Sequence, residues 1–307
     1  MSKRVIISSI LTALALGSGY FVYQSMNELQ IVDPVYSPEL GDYYAVDLSK
    51  QEVKFRFSSS AKLKEFIQSY MSVMGNKLEV VDLNFIDTSK LEDLDYVFAG
   101  DYEFVNAENF YNDQAYDLSG NNFALVSYDE VYLCKAPSSY QVDISKWNIS
   151  KVKSLAYTFS CSTSNFDLSN WDTSNVKSLH GTFAVNANFN NDISRWDVGS
   201  VEDMRVTFVG AQSFNADLSK WQVGKVKDMM GLFRGAKEFN MDLSAWDMSK
   251  VTDISYMFYG ATKFNSNLNP WNLSSVRSAV RVFWGSGMTE ANLTEVIKKY
   301  YFIFSDY

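Results

Sequence analysis

The chain has 307 residues, 47% of them hydrophobic, which excludes gross disorder and allows one or two compact units. Its 27 basic and 36 acidic side chains give a formal net charge of −9, so nucleic acid is not an expected partner. One histidine and two cysteines supply few metal ligands and few nucleophiles or bases. We therefore expect neither an enzyme nor a bound metal or other cofactor.

Residues 1–27 have the features of a targeting segment. Lys3 and Arg4 precede an apolar run from Val5 to Leu16, and apolar residues resume at Tyr20–Tyr23. This pattern fits a cleaved signal peptide or an uncleaved anchor, and the basic flank keeps the N-terminus cytoplasmic. The rest of the chain is then exported to the cell envelope, either held by a single membrane pass or secreted.

The sequence predicts a cap at each end of a central repeat region. The apolar residues between Ser60 and Gly75 lie on one face of a predicted amphipathic helix. We place this helix in an N-terminal cap, 28–82, ahead of a repeat region, 83–287. Residues 288–307 form a predicted C-terminal cap, because both ends of a repeat array need a cover for their apolar faces.

A period of about 25 residues dominates the repeat region. Six tryptophans follow one another at intervals of 24 or 25 residues, and a phenylalanine follows each tryptophan after twelve residues. These columns comprise Trp147, Trp171, Trp196, Trp221, Trp246 and Trp271, and Phe159, Phe183, Phe208, Phe233, Phe258 and Phe283. Because such repeats bury their apolar faces only against their neighbours, both columns are predicted to form the core.

The pattern inside one unit predicts its local structure. Leu218 and Trp221 alternate with polar residues as in a strand, whereas Val226, Met229 and Phe233 have helical spacing. A glycine two residues after most of the phenylalanines fits a left-handed position that ends a helix. The sequence predicts an α/β fold, a leucine-rich-repeat-like solenoid with one short strand and one short helix per coil.

The regular repeat is interrupted near its beginning. Ile86 takes the tryptophan position of the first unit, and a degenerate second unit has Asn122 and Cys134 in the tryptophan and phenylalanine positions. This spacing leaves an insertion near 101–121, rich in tyrosine and acid, where we expect partner contacts. The candidate contact residues are Tyr102, Glu103, Tyr111, Asp113 and Tyr116.

Three further groups of residues have alternative interpretations. Cys134 and Cys161 lie 27 residues apart, so a disulfide between adjacent coils stays open. One column of carboxylates could bind calcium or accept hydrogen bonds from turns, and one column of amides could bond the next coil. These columns are Asp143, Asp167, Asp192, Asp217 and Asp242, and Asn190, Asn215, Asn240 and Asn265.

The segments Asp242–Asp253 and Met257–Ala261 resemble the repeat of BspA-like leucine-rich-repeat surface proteins, and mycoplasma surface lipoproteins carry a similar repeat. The resemblance covers most of the chain. It implies an extended solenoid on a bacterial surface, a role in adhesion or host-protein binding, and no catalytic residues. The chain departs from the lipoproteins because no cysteine follows its apolar N-terminal run, so no lipid anchor is expected.

Together these features predict a non-enzymatic surface or envelope protein that recognises a protein ligand on a host or neighbouring cell. An envelope-anchored inhibitor or immunity protein against a cognate toxin, a structural surface spacer and a calcium-dependent lectin-like module are the alternatives.

Overall fold

The computed structural model describes residues 35–37, 42–47, 52–74, 79–106, 123–125, 130–164 and 166–304. The predicted targeting segment lies outside these residues. Within the described part of the chain, no helix combines the length and the apolar character needed to cross a membrane.

An antiparallel sheet and a helix precede the repeats. The sheet contains β1 (Val35–Ser37), β2 (Asp42–Asp47) and β3 (Glu52–Arg56), and α1 follows at Ser60–Met74. The amphipathic helix predicted in this region is thus present. The backbone N–H of Phe55 in β3 donates to the carbonyl of Phe85 at 3.1 Å. The α1 rings of Phe66 and Tyr70 also pack on Phe85, so sheet and helix cover the first repeat.

The repeats lie side by side as a stack of coils. Parallel bridges connect each coil to the next through Asp93, Ser154, Ser178, Asp203, Asp228, Asp253 and Ser278. Alternate residues donate their N–H groups to the following coil, as from Val206 to Met230 at 2.9 Å and from Gly210 to Arg234 at 2.7 Å. The residues between them close tight turns within the coil, such as Val209 N–H to Val206 oxygen at 3.2 Å.

The prediction of one helix per coil is wrong, because residues 144–164 and 166–288 contain turns and isolated bridges but no helix. A helix directs every N–H towards a carbonyl four residues earlier, whereas here every second N–H points to the neighbouring coil. Left-handed backbone at Val206 (φ 47°) and Gly210 (φ 67°) produces this geometry. The glycine position was therefore correctly predicted as left-handed, but it does not end a helix.

The first coil stacks directly on the coil of Trp147, which overturns the predicted degenerate unit between them. Strand β4 (Val81–Asp82) pairs in parallel with β8 (Val142–Asp143), and the Trp147 indole donates to the carbonyl of Leu83 at 3.0 Å. Outside the stack, residues 101–106, 123–125 and 130–136 form a three-stranded antiparallel sheet, with the last of these strands in the middle. Its strands are β5 (Asp101–Asn106), β6 (Phe123–Leu125) and β7 (Glu130–Ala136). We call this three-stranded unit the inserted sheet.

The aromatic columns fill the core of the stack. Phe183, Phe208 and Phe233 are fully buried, and their ring centroids lie 5.5–5.6 Å apart. Each core tryptophan donates its indole N–H to a carbonyl of the preceding coil, as from Trp221 to Ile193 at 3.2 Å. The other donors of this kind are Trp147, Trp171, Trp196, Trp246 and Trp271. The tryptophan column therefore combines burial with one hydrogen bond per coil.

A helix covers the last coil. Helix α2 (Glu290–Lys299) buries Leu293 and Val296, and a short 3₁₀ turn (Tyr301–Ile303) follows. The Phe304 ring then lies 6.1 Å from the Phe283 ring at the end of the phenylalanine column. This segment matches the predicted C-terminal cap.

Candidate interaction face

The predicted contact residues divide between packing positions and the undescribed part of the chain. Tyr102 is half-buried and stacks between Tyr96 and Tyr132, with centroid distances of 5.2 and 5.1 Å. Glu103 forms an ion pair with Lys135 of the adjacent strand at 2.5 Å. Both side chains thus help to hold the inserted sheet in place. Tyr111, Asp113 and Tyr116 lie outside the described residues.

Tyrosines form the seam between the inserted sheet and the stack. The Tyr157 ring stacks on Tyr96 of the first coil and on Tyr132 of β7, in each case at 5.1 Å. Burial raises the pKa of the Tyr132 phenol, and its oxygen lies 2.8 Å from the hydroxyl of Ser160. Gly181 makes room for this seam, because a Cβ there would lie 2.4 Å from the Tyr157 ring.

A disulfide fastens the inserted sheet to the stack. It joins Cys134 in β7 to Cys161 in the second coil, with the Cα atoms 5.3 Å apart. Gly100 lies where the chain leaves the stack, and a Cβ there would come within 2.2 Å of the Cys161 carbonyl oxygen. The sequence left this pairing open because its repeat positions did not match. The inserted sheet removes that objection, because Cys134 belongs to no coil.

The carboxylate column caps turns. In each coil the aspartate accepts a hydrogen bond from the backbone N–H two residues later, as from Ser219 to Asp217 at 2.9 Å. This Asx-turn hydrogen bond, with a further bond to the serine side chain, lowers the pKa of Asp217. Asp143, Asp167, Asp192 and Asp242 make the same bond. Among the described residues no group of acidic, cysteine and histidine side chains could hold a metal ion.

The amide column links one coil to the next. The Asn190 side-chain oxygen accepts the N–H of Asn215 at 2.8 Å, and Asn215 accepts in turn from Asn240 at 2.9 Å. The ladder continues to Asn265, which accepts from the backbone of Thr289 at the start of α2. These asparagines bond the next coil, as the sequence predicted, and they also attach the C-terminal cap.

His180 belongs to a polar cluster on the same side as the tyrosine seam. Its Nε2 lies 3.1 Å from the Tyr157 hydroxyl, and its Nδ1 lies 3.2 Å from the guanidinium of Arg205. Burial lowers the His180 pKa to about 4 and raises the Asp228 pKa to about 6. Arg205 binds Asp203 at 2.7 Å. Each of these groups has a partner, and the cluster links four successive coils, from Tyr157 to Asp228.

Two neighbouring columns on this side do not repeat their residues, and we call them the variable face. The first column contains Tyr96, Tyr157, Gly181, Val206, Gly231, Tyr256 and Arg281. The second contains Ala99, Ser160, Ala184, Val209, Arg234, Tyr259 and Trp284. The core, carboxylate and amide columns keep one residue type through most coils. The variable face therefore differs from coil to coil, unlike these three kinds of column.

The C-terminal half of the variable face combines arginine with aromatic rings. The Arg234 guanidinium lies 5.0 Å from the Tyr259 ring and 5.5 Å from the Tyr256 ring, while its Nη1 is buried without a hydrogen-bond partner among the described residues. Arg281 lies 5.6 Å from the Trp284 ring, which is 62% exposed. Sequence reasoning missed this cluster because it followed the residues that repeat. The signal was the lack of repetition at these positions.

These features define a protein of stacked 25-residue repeats with capped ends and one inserted sheet. The family model described as "Mycoplasma protein of unknown function, DUF285" matches residues 128–226 and 181–296. The two matches overlap and together span more than half of the chain, so the chain belongs to this family. No curated protein matches the chain. No solved structure matches it either.

Proposed function

We propose that this chain is a non-enzymatic surface protein of the bacterial cell envelope that binds a protein ligand through the variable face. Its stack belongs, in this proposal, to the leucine-rich-repeat-like solenoids of the BspA-like kind. The N-terminal segment carries it to the envelope as a signal peptide or anchor.

The observation that carries the proposal is the cluster of arginine and aromatic rings on the C-terminal half of the variable face, formed by Arg234, Tyr256, Tyr259, Arg281 and Trp284. Columns that build the core or bond neighbouring coils keep their residues, because each coil must fit the next. Residues free of that constraint can be chosen for a ligand, and repeat proteins commonly present such positions on one common surface. Here those positions hold tyrosine, tryptophan and arginine, the residue types that are enriched at the centres of protein interfaces.

The inserted sheet supports a protein ligand in a second way. It packs on the variable face at the first coils, where Tyr102 and Tyr132 stack on Tyr96 and Tyr157, and Val206 and Val209 belong to the same buried cluster. Phe104, at the rim of this seam, is still 38% exposed. The last two coils present Tyr256, Tyr259 and Trp284, so a large protein ligand could contact both the sheet and the stack.

The test is affinity capture from host-surface and neighbouring-cell extracts with the full-length chain, with the captured proteins identified by mass spectrometry. The informative variant carries Phe104→Ser in the inserted sheet and Tyr259→Ser on the variable face. The matched control carries Lys220→Ser, an exposed residue next to the carboxylate column. Loss of a captured protein in the first variant alone supports the proposal.

Equal capture by both variants would show that the ligand binds elsewhere on the chain and would refute the proposal. Recovery of the chain alone from every extract would favour the structural spacer. Deleting the inserted sheet is a weaker test, because deletion would uncover Tyr157, which is 4% exposed in the intact chain, and would thereby destabilise the stack.

A further inference from the structure

The hydrogen bonds between coils give the stack a direction. In each coil, four N–H groups at alternate positions donate towards the C-terminal end. In one coil these donors are Met229, Gly231, Phe233 and Gly235, and the acceptors are the carbonyls of Asp253, Ser255, Met257 and Tyr259, at 2.7–3.0 Å. Between the same two coils, two backbone bonds run the opposite way, from Thr252 to Lys227 at 2.8 Å and from Lys263 to Lys237 at 3.2 Å, so the forward bonds outnumber the reverse ones. The amide dipoles therefore add along the stack, as they do along a helix.

The last coil ends this series with donors that have no next coil. Ala279, Arg281 and Gly285 occupy the forward-donating positions, and in the described part of the chain their N–H groups have no acceptor. Helix α2 seals the core beside them through Leu293 and Val296. We call the segment 277–285 the open edge. It presents N–H groups in a row, which is the electropositive end of the stacked dipoles.

Cationic side chains reinforce this polarity. Arg277 and Arg281 are exposed, and neither forms an ion pair with any described carboxylate. Elsewhere in the stack Arg205 is bound by Asp203 at 2.7 Å. The chain as a whole has a formal charge of −9, so a row of N–H groups with two unpaired guanidinium groups stands out from its surroundings. Charge complementarity favours an acidic occupant.

A groove with a mixed lining, more polar than apolar, borders the open edge on one side, and an exposed aromatic ring lies near each end. The groove, of about 330 Å³, lies along Val276–Val280 and is closed on its far side by Phe302 and Ile303. Phe302 is 61% exposed, and Trp284 at the other end of the edge is 62% exposed. A ligand lying along the edge would thus meet apolar surface as well as positive charge.

We propose that the open edge binds an acidic peptide segment of a partner protein, which adds to the stack as one further coil edge. This inference deepens the proposed function and rests on it. In the preceding coils such donors bond carbonyls at every second residue of the next coil, so a peptide that follows the same path as a coil offers the same acceptors. Alternate side chains of the peptide then reach the groove and Arg277 or Arg281. A free anion would use the charge but neither the row of donors nor the groove.

The experiment titrates the full-length chain with a blocked peptide of alternating glutamate and valine, about eight residues long to match the edge. A peptide of alternating lysine and valine and inorganic phosphate are the comparison ligands. The readouts are the dissociation constant and the ¹⁵N amide resonances of the chain. The variant is Arg277→Gln with Arg281→Gln, and its matched control is the exposed Arg195→Gln.

We expect the glutamate peptide to bind, to shift the amide resonances of Ala279, Arg281 and Gly285, and to lose affinity roughly tenfold in the double variant only. Equal binding of the lysine peptide, or binding that leaves these three resonances unchanged, would overturn the proposal. So would phosphate that binds as tightly as the peptide. Self-association of the chain without peptide, measured by light scattering and lost in the double variant, would assign the edge to a second copy and overturn it too.

The outcomes for the two proposals can be separated. The glutamate peptide could bind at the open edge while no partner protein is captured. That result would support the open-edge proposal and refute protein recognition by the variable face. A partner captured through Tyr259, with no binding of the glutamate peptide, would keep the proposed function and refute the acidic segment.

Discussion

Replacing one core tryptophan tests the physical account of the stack. Trp221 is 3% exposed, and its indole N–H donates to the Ile193 carbonyl of the preceding coil at 3.2 Å. In Trp221→Phe the ring still fills part of the space, but the donor is lost. The Ile193 carbonyl also accepts the backbone N–H of Trp196 at 3.1 Å, so it is not left without any partner. The loss of the hydrogen bond should therefore cost about 1 kcal/mol rather than the larger penalty of an orphaned carbonyl.

The smaller ring adds a cavity term of about 1–2 kcal/mol, because the neighbouring coils cannot close around it fully. The free energy of unfolding should fall by about 2–3 kcal/mol in total, as measured by urea denaturation. Benzothienylalanine at position 221 keeps the ring volume without the N–H group, and it should lose only the hydrogen-bond part. Trp284→Phe, at a residue 62% exposed, is the matched control and should change the unfolding free energy little. A loss below about 0.5 kcal/mol in Trp221→Phe would refute this reasoning.

Three further predictions concern the inserted sheet and the polar cluster. Gly181→Ala should destabilise the chain by more than about 1 kcal/mol and displace the Tyr157 ring. The added Cβ would overlap that ring, and alanine would be strained in the left-handed backbone at this position. Unchanged thermal unfolding and tyrosine NMR signals would contradict this prediction. Reduction, or Cys134→Ser, should lower the unfolding free energy by about 3 kcal/mol, and two free thiols in native oxidised protein by mass spectrometry would rule out the disulfide with Cys161. The folded-state pKa of His180, about 4, lies below its ordinary value of 6.5, so the unfolded chain binds more protons in this range and stability should fall as the pH drops from about 6.5 to 4. In His180→Gln the denaturant midpoint should not fall through the protonation of this histidine between pH 6.5 and 4. Identical pH profiles of the variant and the wild-type chain would show that His180 does not cause this pH dependence.

The constant residues of the repeat could be interpreted without a structure. A tryptophan and a phenylalanine at a fixed spacing can recur through six units only if each coil meets the next in the same way. That reasoning correctly placed Ile86 in the tryptophan position of the first coil, where β3 rather than another coil lies alongside. It also found the amide ladder through Asn215, because a buried or half-buried amide in a fixed register needs a fixed partner.

The inserted sheet could not be placed by the same reasoning. Counting in units of 25 residues assigned Asn122 and Cys134 to a degenerate coil, since a template with weak matches accepts almost any sequence. Only the pairing of β4 with β8 shows that the chain leaves the stack and returns to the next coil in register. Because strand pairing is decided by contacts between distant residues, local spacing does not reveal it.

The sequence by itself determined the period, the core columns and the net negative charge. These features depend on residue types that recur, and recurrence is visible in one dimension. The tertiary structure decided how the backbone runs inside a coil, which face varies, and how the disulfide fastens the inserted sheet. It also decided that the N–H groups of every coil point the same way, because the direction of a hydrogen bond depends on backbone dihedral angles that most residue types can adopt.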